Sequence, residues 1–130
     1  MKVLGIDLGK KRIGVALGDS EKKIVVGLST IINNAKTWDS FKEIILRENI
    51  EMLVIGLPKT MSGQIGEQAV YTKKWAEKAD EKLSVKIDFV DERLTSKMAR
   101  DSLASLGTDL KKEDIDQAAA VLLLQSYFGS

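Results

Sequence analysis

Residues 1–19 read MKVLGIDLGKKRIGVALGD, with two short apolar runs on either side of a basic turn. The runs at residues 2–8 and 12–17 are typical of β-strands, and Gly9-Lys10-Lys11 between them predicts a β-hairpin. A third β-branched run, at residues 24–32, follows a polar turn. These three strands are close enough in sequence to form an antiparallel meander.

Helical patterns and short apolar runs alternate in the rest of the chain. Residues 37–47 predict a helix with Thr37 as its N-cap, and residues 65–83 predict a longer amphipathic helix. Strands are predicted at residues 51–56 and 85–89. Two further helices are predicted at about residues 95–106, ended by Gly107, and at about residues 114–128.

The resulting order, β-β-β-α-β-α-β-α-α, predicts an α/β fold in a single domain that spans residues 1–130. Hairpin strands followed by helix-linked strands indicate a mixed five-stranded sheet with helices on both faces. Right-handed crossovers place the fourth and fifth strands beside the first. Because ligands bind beyond the carboxyl ends of such strands, Asp7 is expected to meet segments 56–63 and 91–95 there.

The composition narrows the chemistry that this chain can perform. It contains no Cys and no His, which excludes thiolate nucleophiles, His general bases and His/Cys zinc sites. The net charge of +1 excludes a globally basic nucleic-acid binder, so such binding needs a local patch. No apolar run is long enough to span a bilayer, and the N-terminus is unlike a signal peptide. With no cysteine available for disulfides, we expect a cytoplasmic location.

Asp7 interrupts an otherwise apolar strand and is followed by Gly9 after one leucine. A buried carboxylate is costly unless it faces a cation, a basic side chain or backbone donors. Asp7 therefore fits a functional acid at the strand end, and it fits equally well a carboxylate that caps the hairpin turn.

Two further acids are candidates for the same edge of the sheet. Only one of Asp91 and Glu92 can face a site, because neighbouring strand side chains point in opposite directions. In isolation, a solvated loop with an acid paired to Arg93 is the more common arrangement. Asp116 lies in the first turn of the last predicted helix, where an acid interacts with the helix dipole whether or not it has another role.

The pattern of the last helix bears on the position of Asp116. Asp114 followed by Gln117 fits a capping box, which makes Asp114 the expected N-cap. The residues expected to pack inward leave Asp116 at the margin of the buried face, within reach of a cleft. These inward residues are Ile115, Ala118, Ala119 and Leu122.

Taken together, the acids predict a metal site. Three carboxylates from two strand ends and a helix can hold one or two Mg²⁺ or Mn²⁺ ions, which prefer oxygen ligands. A pair of ions about 4 Å apart can activate water and stabilise the leaving oxygen of a phosphodiester, and this chemistry needs no histidine.

Several segments, taken in order, resemble the YqgF family over essentially the whole chain. They are residues 5–16 (GIDLGKKRIGVA), 56–58 (GLP), 62–63 (SG), 91–95 (DERLT), 115–119 and 125–127 (QSY). Members of that family are described as Holliday junction resolvases or as nucleases that mature the end of precursor 16S ribosomal RNA. The resemblance implies a ribonuclease H-like fold with Asp7, Glu92 and Asp116 as the catalytic, metal-binding acids. It leaves DNA and RNA both open as substrates.

Basic side chains near these acids are candidates for contacts with phosphates. Arg12 is the strongest of them, because lysines in a hairpin turn are usually only solvated. Glycines of the 56–63 loop could also hold a phosphate, although a tight connection explains them equally well. Trp38 and Trp75 fall on helices and are expected to pack in the core rather than stack on bases. The complete basic set is Lys10, Lys11, Arg12, Arg93 and Lys97.

The leading hypothesis is a Mg²⁺- or Mn²⁺-dependent endonuclease for branched DNA or precursor ribosomal RNA. A non-catalytic nucleic-acid-binding module of the same fold is the alternative, and it would bind no metal at the acids. A sugar-kinase or actin-like ATPase is a third class, but such proteins need two domains of this kind to enclose a nucleotide. A homodimer would suit a four-way junction, although no segment indicates an interface.

Overall fold

The computed structural model describes residues 1–58, 66–91 and 112–129, and its elements follow the predicted order. The predicted helix at residues 95–106 and most of the predicted 56–63 loop lie outside these ranges. The elements are β1 (Lys2–Leu8), β2 (Arg12–Asp19), β3 (Ile24–Ile32), α1 (Thr37–Glu48), β4 (Met52–Leu57), α2 (Glu67–Leu83), β5 (Lys86–Asp91) and α3 (Lys112–Gly129).

The strands form one five-stranded sheet in the order β3-β2-β1-β4-β5. β1 pairs antiparallel with β2 and parallel with β4, and β5 extends the parallel side as an edge strand. The predicted mixed sheet, with the fourth and fifth strands beside the first, is therefore confirmed. Right-handed crossovers through helices account for this arrangement.

One face of the sheet packs against α1 and α2. Leu4 and Ile6 of β1 are fully buried there with Phe41 of α1. Trp75 of α2 stacks on Trp38 of α1 with ring centroids 5.0 Å apart, and it meets Phe41 edge to face at 5.6 Å. Trp75 is a core packing group, as predicted, whereas Trp38 packs against the core but is only partly buried.

The opposite face packs against α3, and the buried side of this helix differs from the prediction. Ala119 is buried as expected, but Ile115, Ala118 and Leu122 are only partly buried. The sheet-facing row instead continues through Ala120, Leu123 and Leu124. The stretch AAAVLLL at residues 118–124 is apolar all round, so its periodicity does not distinguish one face from its neighbour.

Glycines on the sheet allow α3 to approach closely. A Cβ atom built on Gly14 would overlap the main-chain carbonyl oxygen of Asp116, and one on Gly18 would lie 2.7 Å from a methyl group of Leu124. At Gly5 the corresponding distance to the Cβ of Leu124 is 3.0 Å. The backbone of α3 therefore lies directly on β1 and β2, which a larger residue at position 14 would prevent.

Two predicted helix caps are wrong. Lys36 is the N-cap of α1 and makes no side-chain capping hydrogen bond. Thr37 is the first helical residue, and its hydroxyl accepts the N–H of Asn34 at 2.9 Å and donates to the carbonyl of Ile32 at 3.2 Å. Asp114 is not the N-cap of α3, because the helix is already formed at Lys112.

The far end of α3 is held by polar contacts. The Tyr127 hydroxyl donates to the Asp88 carboxylate of β5 at 2.7 Å, and Lys23 Nζ donates to the carbonyl of Phe128 at 2.8 Å. The hydrogen bond to Asp88 is the main cause of a raised pKa for Tyr127.

Within the described ranges, no helix is both long and apolar enough to cross a membrane.

Gly14→Ala should lower the free energy of unfolding by about 1–3 kcal/mol, because the added methyl group meets main chain that cannot move aside. Urea unfolding followed by far-ultraviolet circular dichroism measures the change. Gly129→Ala is the matched control, since a Cβ there meets nothing within 4 Å. Equal stability of the two variants would contradict the close approach of α3.

Tyr127→Phe should lower the free energy of unfolding by about 0.5–1.5 kcal/mol at neutral pH, through loss of one hydrogen bond. Since the pKa of Tyr127 is raised in the folded protein, the stabilisation is complete below about pH 10 and is lost as pH rises through the folded-state pKa. Urea unfolding of both proteins at neutral and alkaline pH measures the difference. A difference that grows with pH would contradict this contact.

Candidate active site

Asp7 lies on the side of the sheet that α3 covers. Val3 belongs to the core beneath α3, and a Cβ on Gly5 would meet Leu124. Because strand side chains alternate, Asp7 points to this same side. Asp7 pairs with Gly14 across the β1–β2 ladder, so it stands beside the point where α3 touches the sheet.

Asp116 reaches the same point from α3. It is the fifth residue of the helix rather than a member of the first turn, and it lies four residues before the buried Ala120. Its carbonyl lies against Gly14, the pairing partner of Asp7. The structure thus brings together two of the three predicted acids, and the partial exposure of the Asp116 side chain fits its predicted place at the margin of the buried face.

Arg12 supplies the positive charge at this place. Its Nε lies 3.4 Å from Oδ2 of Asp116, and the two side chains are 26% and 29% exposed. Arg12 was predicted as a phosphate ligand, and the structure adds a carboxylate partner that the sequence does not indicate. At this distance and exposure the ion pair contributes little to stability, about 0–1 kcal/mol. Asp116 can therefore exchange Arg12 for another cation, and Arg12 can exchange Asp116 for another anion.

Asp91, at the end of β5, belongs to the other side of the sheet. Ile87 and Phe89, at alternate positions before it, line a cavity with Ala76 of α2. Val90 instead packs against the core beneath α3. Strand alternation therefore directs Asp91 away from Asp7. Glu92, together with the predicted basic residues Arg93 and Lys97, lies outside the described ranges.

Lys10 and Lys11 are exposed in the β1–β2 turn, close to the end of β1. The turn is held by Asn33, whose N–H donates to the carbonyl of Lys11 at 2.9 Å. The Asn33 side-chain amide donates to the carbonyl of Gly9 and to the hydroxyl of Tyr71, each at 3.0 Å. The role of Asn33 was not predicted, although an Asn-Asn pair directly after a strand is a turn signal.

The donors at this site suit a hard cation. Asp7 and Asp116 offer carboxylate oxygens, which Mg²⁺ and Mn²⁺ prefer, and these ions usually keep several water ligands. In the part of the chain that the structure describes, no three acidic side chains cluster closely enough to form a complete metal site.

The chain is similar to known proteins over its full length. A family model described as "RuvX: Holliday junction resolvase" matches residues 1–130. Two relatives carry the name "Putative pre-16S rRNA nuclease". The Sulfurihydrogenibium sp. protein is 41% identical over 97% of this chain and 88% of its own length. The Caldanaerobacter subterraneus protein is 40% identical over 100% of this chain and 97% of its own length.

Solved structures of resolvases share the fold at low sequence identity. RuvC of T. thermophilus in complex with a Holliday junction substrate has a TM-score of 0.56 and 16% identity, covering 98% of this chain and 93% of its own. The Fowlpox virus resolvase in complex with Holliday junction DNA has a TM-score of 0.54 and 16% identity, covering 99% and 97%. The expected ribonuclease H-like fold is thereby confirmed.

Proposed function

The chain belongs to the RuvX family of Holliday junction resolvases, a family of nucleases, and we propose that it hydrolyses phosphodiesters of structured nucleic acid with Mg²⁺ or Mn²⁺. The meeting of Asp7 and Asp116 over Gly14 is the observation that carries this proposal. The two carboxylates come from separate elements and lie at the carboxyl end of β1. This is the position at which ligands bind in α/β sheets. The cytoplasmic location expected from the lack of cysteine is part of the same proposal.

Asp7 and Asp116 would hold the metal, with Glu92 as a third ligand or as the base that positions water. The metal, when bound, activates water and stabilises the leaving oxygen of the phosphodiester. Since Asp91 faces away from Asp7, strand alternation supports Glu92 as the acid that this segment contributes. Arg12, which lies 3.4 Å from the Asp116 carboxylate, would neutralise a phosphate oxygen of the substrate.

Two substrates fit this proposal. The relatives' names point to precursor 16S ribosomal RNA, and the family description points to four-way DNA junctions. Both present phosphodiesters that a carboxylate-metal site can cleave without histidine. Parallel cleavage assays on the two nucleic acids in Mn²⁺ would identify the preferred one.

Asp7→Asn should reduce cleavage of the preferred substrate by more than about 100-fold, because it removes a metal ligand rather than an outer partner of one. Cleavage of precursor 16S ribosomal RNA and of a four-way junction is measured in Mg²⁺ and in Mn²⁺. The same change at Asp39, an exposed acid of α1, is the control and should leave cleavage unchanged. An Asp7→Asn protein that is folded and fully active would refute the proposal.

Lys10→Gln/Lys11→Gln should weaken nucleic-acid binding and lower the slope of log affinity against log salt concentration by about 2, about one unit per lost phosphate contact. Fluorescence anisotropy in the Asp7→Asn background, between low and moderate salt, measures this slope. Lys22→Gln/Lys82→Gln makes the same charge change at exposed positions of the opposite end of the sheet. Equal slopes for the two double variants would show that the turn lysines do not contact phosphates.

A further inference from the structure

A cavity of about 320 Å³ lies between α1 and α2, on the face of the sheet opposite to α3. It is at the low end of the size range for small-ligand sites, which run from roughly 300 to 1,000 Å³. Side chains from both helices and from the end of β3 surround it. Those that matter here are Asn33, Trp38, Tyr71, Lys74, Trp75 and Lys78.

This cavity lies towards the same end of the sheet as Asp7. α1 follows the end of β3, α2 follows the end of β4, and Tyr71 is in the first turns of α2. The side chain of Asn33 joins Tyr71 to the carbonyl of Gly9, with both hydrogen bonds at 3.0 Å. Gly9 is two residues beyond Asp7, a span of at most about 7 Å along the chain. A nucleic-acid strand that crosses this end of the sheet can therefore contact both Asp7 and the cavity.

The cavity wall combines aromatic rings with positive charge. Trp38 is partly buried and stacks on the almost fully buried Trp75, with 29° between the ring planes. Lys74 and Lys78 are exposed and one helical turn apart on α2. Neither lysine forms an ion pair within the described part of the chain, and the cavity lining in that part contains no carboxylate.

Aromatic faces beside lysines are the chemistry that recognises unpaired nucleotides, through base stacking and phosphate neutralisation. The amide of Asn33 and the hydroxyl of Tyr71 add groups that can hydrogen-bond to a base edge. A paired base could not enter, because its stacking faces are covered and its edge is occupied. We propose that this cavity binds one unpaired nucleotide of the substrate, next to the phosphodiester held at Asp7. This inference rests on the proposed nuclease function.

Intrinsic fluorescence offers a direct test, because the chain has two tryptophans and both line the cavity. Asp7→Asn protein is titrated with a blunt RNA duplex and with the same duplex carrying a short single-stranded extension. The extended duplex should quench the tryptophan fluorescence and bind about tenfold more tightly, the effect of one stacked base. The blunt duplex should bind without quenching.

Lys74→Gln/Lys78→Gln should abolish the preference for the extended duplex while leaving affinity for the blunt duplex unchanged. Lys73→Gln/Lys82→Gln makes the same charge change on the same helix outside the cavity and should keep the preference. These exposed substitutions keep the test valid if Trp38→Leu, which removes the stacking ring, fails to fold. Equal weakening of both duplexes by the Lys74/Lys78 change would overturn the proposal.

Three further outcomes separate this site from its alternatives. If adenosine monophosphate alone quenches the tryptophan fluorescence as strongly as the extended duplex and binds as tightly, the cavity is a site for free nucleotides and the proposal is wrong. If the wild-type protein cleaves nucleic acid while no probe quenches, the cavity proposal fails and the nuclease function stands. Quenching by the extended duplex without any cleavage would refute the nuclease function but not the binding site.

Discussion

The close approach of α3 to the sheet is the contact on which the candidate site depends. The carbonyl of Asp116 lies where any side chain at position 14 would stand, so the helix can occupy its place only above a glycine. Asp7 pairs with that glycine, so main-chain packing brings the two acidic residues to the same point. Core packing here determines the position of a candidate site residue, as expected for sites built on rigid elements.

Much of this arrangement could be predicted from the sequence, because short alternating or apolar runs restrict a segment to a strand. The bounds of β1 and β3, the strand order and the placement of Asp7 at a strand end were all predicted correctly. The approach of Asp116 to Gly14 was not, because it joins residues far apart in sequence and α3 has no clear polar face near Ala120. Glu92 remains a prediction that rests on strand alternation and the family resemblance.

The two sides of the sheet carry the two proposed sites, the metal site and the nucleotide-binding cavity. Asp7, Asp116 and Arg12 lie on the side of α3, where Arg12 forms an ion pair with Asp116. The rings of Trp38 and Trp75, with lysines that form no ion pair in the described part of the chain, lie on the side of α1 and α2, where they suit bases and phosphates rather than metals. Asn33 connects the two sides through Gly9 and Tyr71. A substrate strand that passes over this edge would thus meet different chemistry on each side of the sheet.

The polar contacts at the C-terminal end of α3 have a mechanical consequence. Tyr127 is bonded to β5 and Phe128 to the turn between β2 and β3, so this end of the helix is attached towards both edges of the sheet. Asp116 is about 16 Å away along the helix axis, given a rise of about 1.5 Å per residue. A tilt of the helix by about 4° around the attached end would move Asp116 by about 1 Å, a displacement that can cost an enzyme about 100-fold in rate. Contacts far from Asp116 along α3 therefore help to set the position of its carboxylate.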